Sequence, residues 1–83
     1  MSENGVKLAL TAAKAAAPDA FPHRTIAELL AKHGPPISVN AIYGFEAKGY
    51  FPPDRARIIA AEYDLPIEKL VNPKFGSLLN GNA

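Results

Sequence analysis

The sequence predicts an all-α fold, a compact domain of about five helices. Three observations predict it. Apolar residues recur at helical spacing in successive segments, and nowhere is there the sustained alternation that a half-buried strand needs. Proline and glycine punctuate the chain between those segments, at Pro18, Gly34-Pro35-Pro36, Gly49 and Pro52-Pro53. The composition, 48% hydrophobic and 20% charged over 83 residues, is that of a small folded domain rather than a disordered chain.

The first helix spans 5–17, where Ala and Leu, the strongest helix formers, dominate. Val6, Leu10, Ala13 and Ala17 fall along one face, and Pro18 ends the helix. Residues 19–24 are a linker whose Phe21 is expected to pack on the core. Thr25-Ile26-Ala27-Glu28 has the form of a capping box, in which Thr25 and Glu28 satisfy each other's amides. The second helix is therefore expected over 25–33, burying Ile26, Leu29 and Leu30 with Ala27 beside them. Gly34 supplies its stop, and Pro35-Pro36 bar continuation.

Ser38 is a good N-cap for a third helix over 38–48, with Ile37 placed to act as a hydrophobic staple. Its inward edge is Ala41, Ile42 and Phe45, and Gly49 is its C-cap. Pro52-Pro53 open a fourth helix over 53–63, since proline is preorganised for a first turn, and Asp54 there suits the helix dipole. Ala56, Ile59, Ala60 and Tyr63 make an amphipathic stripe. Leu65-Pro66 then restarts the chain into a short fifth helix over 67–71, stopped by Asn72-Pro73. Residues 1–75 are read as the folded domain and 76–83 as a flexible tail.

Several functions are disfavoured. Without cysteine there are neither disulfides nor thiolate ligands, which fits a reducing cytoplasm. No apolar run approaches the roughly 18–20 residues that span a bilayer, and the acidic, polar start is unlike a signal peptide. His23 and His33 have no second ligand at metal spacing, so no metal site or other cofactor is expected. Ser38 has no evident base, and no glycine-rich phosphate loop follows a strand, so neither catalysis nor a small-molecule substrate is expected. Net charge is only +1, from 9 Lys and Arg against 8 Asp and Glu, so charge alone does not point to nucleic acid.

The arrangement around the third helix does. Two helices joined by a tight turn, the second with a free polar edge, make a helix-turn-helix, the shape that enters a DNA major groove. The outward positions Val39, Asn40, Tyr43 and Gly44 are the candidates for base contact. An Asn40 amide can donate to and accept from an adenine edge at once, Val39 can meet a thymine methyl, and Tyr43 offers a ring and a hydroxyl. Ser38, Lys48, Lys32, Arg55 and Arg57 are candidate phosphate contacts. Asn40 and Tyr43 read equally as ordinary solvated positions, and the three cations away from the third helix as surface charge; Arg55 can instead pair with an acid on its own helix.

Ser38-Val-Asn-Ala-Ile-Tyr-Gly-Phe-Glu46, followed by Gly49 and Phe51-Pro-Pro-Asp-Arg-Ala56, resembles the phage Cro and repressor family of helix-turn-helix proteins. Leu30-Ala31, Gly34 and the closing Tyr63-Asp-Leu-Pro-Ile-Glu-Lys-Leu70 extend the resemblance to about residues 25–70. The turn from His33 to Ser38 is about one residue longer than in that family, and Gly44 stands where a polar residue is common. The resemblance implies a lambda-repressor-like fold and a homodimer. It further implies repression at a palindromic double-stranded DNA operator, in the cytoplasm of a bacterial or phage-infected host cell. Phe75, Leu78 and Leu79 are the apolar residues left for a dimer contact. The alternative is a protein-interaction module, an antitoxin or adaptor, on the same helices with little DNA affinity.

Overall fold

Four helices and one 3-10 turn, with no strand among the described residues, follow one another along the chain. The structure is a computed structural model and describes residues 4–72. The tail at 76–83 and the apolar residues Phe75, Leu78 and Leu79 lie outside that range.

Helix α1 (Gly5–Ala16) begins where Asn4, in extended conformation, turns its side chain onto the first turn. Asn4 Oδ1 accepts from the Val6 and Lys7 amides at 2.9 and 3.1 Å, satisfying donors that a helix start leaves orphaned. The helix buries Gly5, Val6, Ala9, Leu10 and Ala13. Ala17 caps its end, one residue before the proline that forbids another turn.

Helix α2 (Pro22–His33) starts three residues earlier than the capping-box pattern indicates. Pro22 occupies the first turn, where its fixed φ fits and its missing N–H costs nothing. Phe21 becomes the flanking residue. Thr25 lies inside the helix, its hydroxyl donating to the Phe21 carbonyl at 3.2 Å rather than receiving the Glu28 amide. The capping box is thus overridden by the proline. Phe21 is also not a core residue: it is 49% exposed. Ile26, Ala27 and Leu30 are buried, and Leu29 packs on them in part.

The end of α2 falls at Gly34 as expected, but not through a left-handed cap. Gly34 is extended, a conformation open to any residue. Its smallness serves a different purpose. Arg55 Nη1 donates to the Leu30 carbonyl at 3.4 Å, reaching one of the acceptors that a helix end leaves unsatisfied. A Cβ on Gly34 would lie 3.1 Å from that guanidinium.

Helix α3 (Val39–Lys48) is bounded as its caps dictate. Ser38 Oγ accepts from the Ala41 amide at 3.2 Å. Gly49 adopts φ 93°, the left-handed turn that favours glycine, and donates to the Phe45 carbonyl at 2.7 Å. Ile42 is fully buried, while Ile37 and Phe45 pack against the core from either side. Val39, read above as outward, is half-buried and packs there too.

Helix α4 (Pro53–Tyr63) opens on proline with Asp54 in its first turn. It buries Ala56 and Ile59, with Ala60 and Tyr63 partly covered. Burial, helped by the nearby Glu62 carboxylate, pushes the Tyr63 phenol above its usual value of 10.0. The chain leaves α4 through Asp64 at φ 53°, a left-handed turn that Asp tolerates better than most residues. The expected fifth helix is instead a 3-10 turn, Ile67–Lys69. Pro66 fixes its entry, and the three residues before Leu70 are too few to close an α-helical ladder. Leu70 and Val71 then enter the core, and the Leu70 carbonyl accepts from Phe51 N–H at 2.7 Å.

All four helices and the final turn share one apolar core, with Phe51, Ile26, Leu30, Ile42, Ile59, Leu70 and Val6 fully enclosed. No buried residue in it is polar or charged.

Candidate functional site

Helix α3 is fastened at its C-terminal end and along the side facing α2, and its outer edge is left clear. At its C-terminal end, Asn4 Nδ2 donates to the Glu46 carbonyl at 3.0 Å, and the Gly5 amide to the Gly49 carbonyl at 3.0 Å. Asn4 therefore caps α1 with its side-chain oxygen and ties α3 with its side-chain nitrogen. Gly5 also lets the 69–70 segment pack on the start of α1: a Cβ there would overlap the Lys69 carbonyl oxygen and come within 2.9 Å of Leu70 Cα.

On the side facing α2, three rings meet. His23 stacks on Tyr43 with centroids 4.1 Å apart and on Phe21 at 5.0 Å. Phe21 and Tyr43 lie 6.3 Å apart, tilted by 40°. His23 Nε2 sits 2.9 Å from Glu46 Oε1. A carboxylate can only accept, so Nε2 carries the hydrogen; Nδ1 is enclosed without a partner. Glu46 thus meets α1 through its backbone and α2 through its side chain.

The residues proposed as readers divide. Asn40, Tyr43 and Gly44 are exposed on α3, one turn apart and so on one face. Asn40 makes no side-chain hydrogen bond to the described residues. A Cβ at Gly44 would meet nothing within 4 Å, so the backbone there is open to close approach. Val39 is set apart from them by its packing on the core.

The cations divide as well. Lys32, Lys48 and Arg57 are exposed, in the last turn of α2, the last turn of α3 and on α4. Ser38 is exposed while it caps. Arg55 is half-buried and its guanidinium serves α2, not an acid of its own helix.

Residues that sequence reasoning passed over stand in the same region. Phe21, His23 and Arg24 belong to the start of α2, and Arg24 is exposed in a first turn that holds no acidic residue and no side-chain cap. Pro22 was the signal: an N1 proline moves this start forward and brings the ring of Phe21 to the surface. Asn4 and Glu46 are joined across 42 positions, and His23 and Glu46 across 23, separations that carry no local pattern.

Elsewhere, an apolar groove of about 220 Å³ runs between Phe45, Tyr50, Phe51 and Pro53. A more open hollow of about 350 Å³ lies between His33, Arg57 and Glu62. No cluster of metal-binding side chains occurs among the described residues, and no helix there is long and apolar enough to cross a membrane. No protein-family model, curated protein or solved structure matches the chain.

Proposed function

We propose that this chain is a sequence-specific DNA-binding transcriptional regulator of the Cro-like helix-turn-helix type, with α3 as the helix that enters the major groove. The observation that carries the reading is the outer edge of α3. Asn40, Tyr43 and Gly44 are exposed together on a helix clamped at its C-terminal end and against α2. Rigid placement of a few polar groups on an element that fits the groove is what direct readout requires. Lys32, Lys48, Arg57 and Arg24 are the exposed cations for phosphate contacts. A module of this size buries little surface on DNA, which favours two copies on a palindromic operator, acting as a repressor.

Titration with a mixed duplex pool at several salt concentrations tests this. Affinity should fall steeply as salt rises, with a slope set by the phosphates neutralised. Absence of binding at about 50 mM salt, where phosphate contacts are strong, refutes it. Selection from a random duplex library then yields the operator, and Asn40→Ala should cost about 1–3 kcal/mol of discrimination at one base pair of it. Unchanged discrimination removes Asn40 from the readers.

A second reading, a protein-interaction module such as an antitoxin or adaptor, draws on the near-neutral charge and on the exposed rings of Phe21 and Tyr43. It predicts a salt-insensitive protein partner and no duplex binding.

A further inference from the structure

Phe21 and Tyr43 are large apolar side chains left 49% and 45% exposed. Neither is loose. Both rest on His23, which Glu46 holds through Nε2. Their inner faces tie α2 to α3; their outer surfaces do nothing for the fold. Aromatic rings have few rotamers to lose on contact, so a pre-stacked pair presents apolar area at a low ordering cost. Tyr43 lies one helical turn from Asn40, so the ring pair continues the edge formed by Asn40 and Gly44.

We propose that Phe21 and Tyr43 together read thymine 5-methyl groups in the major groove, Phe21 extending the reading edge of α3 from the start of α2. This rests on the DNA-binding reading above. The methyl group is the apolar feature of the base edges in that groove, and aromatic contact is one of the ways it is recognised. With the ring centroids 6.3 Å apart and a rise of about 3.4 Å per base pair, the two rings reach at most about two base-pair steps. Asn40 selects adenine by its hydrogen bonds, so all three side chains favour A·T pairs. Arg24 is exposed in the first turn of α2, while the acids nearest the rings are Glu46, engaged by His23, and Asp19, two positions before Phe21.

The test uses the full chain and the duplex recovered by selection. Each thymine is replaced in turn by deoxyuridine, which removes the methyl and keeps the pairing. The parent protein should lose about fourfold in affinity at each read position, the worth of one buried methylene, at two thymines no more than two steps apart. Phe21→Ala should bind the natural duplex more weakly, with an unchanged helical spectrum, and should be indifferent to deoxyuridine at one of those positions. Tyr43→Ala should be indifferent at the other. A parent that tolerates every replacement overturns the proposal while leaving the regulator reading intact; a parent that binds no duplex overturns both. Phe21→Ala that keeps full DNA affinity but weakens self-association in sedimentation also overturns it, and assigns the rings to a protein contact.

Discussion

The C-terminal end of α3 and its middle are held by different kinds of chemistry. At the C-terminal end the bonds are polar and directional: Asn4 to the Glu46 carbonyl, Gly5 to Gly49, and Gly49 turned left-handed to meet Phe45. Close beside these bonds, a single added carbon at Gly5 strikes the backbone of Lys69 and Leu70. At its middle, Tyr43 joins α3 to α2 through rings stacked at the surface, two of them about half exposed, with His23 also bonded to Glu46. The first arrangement fixes position through directed bonds. The second leaves the outer surfaces of Phe21 and Tyr43 open to solvent.

The largest effect is expected from Gly5→Ala. Its Cβ meets backbone rather than a movable side chain, so destabilisation of about 3 kcal/mol or more should appear in urea unfolding. Asn4→Ala removes one cap and one interhelical bond, and should cost about 1–2 kcal/mol in the same experiment. Phe21→Ala should cost clearly less; equal losses for Asn4 and Phe21 would mean the rings are structural and would erase the contrast.

Gly44→Ala should act in the other direction. With open space around it, the added methyl should stabilise the domain by about 1 kcal/mol through helix propensity. If α3 approaches a groove closely there, duplex affinity should fall while the melting temperature rises. The smallest effect concerns Tyr63. Its raised phenol means that the unfolded chain ionises first as pH climbs past 10.0. The stabilisation is present below that pH and is lost as pH rises through the folded value. Tyr63→Phe should therefore melt less steeply with pH above 10 than the parent, with little difference at neutral pH.

How much of this was legible in the sequence depended on the range of each signal. The ends of α3 and the start of α4 came from local chemistry, Ser38, Gly49 and Pro53, and the structure places them there. The start of α2 did not, because two local signals competed. The Thr25–Glu28 pattern asks for a cap, whereas Pro22 needs only the φ it already has; the proline prevailed and Thr25 turned to the Phe21 carbonyl. The last turn was too short for periodicity to separate α from 3-10. At the candidate site, Asn40, Tyr43 and Gly44 were legible as outward positions because one helix presents them. The burial of Val39 and the diversion of Arg55 to Leu30 depend on neighbouring helices. The ring cluster and the double role of Asn4 were not visible, because residues far apart in the chain create them.

The contact between Gly5 and Lys69–Leu70 brings together segments more than sixty positions apart. Closing so long a loop is slow to gain and hard to lose in part. The Gly5 and Phe51 amides, bonded to Gly49 and Leu70 at this seam, should therefore exchange their hydrogens with solvent only when the whole domain opens. The seam makes α1 part of one cooperative unit, so that whatever loosens the start of α1 also releases the far end of α3.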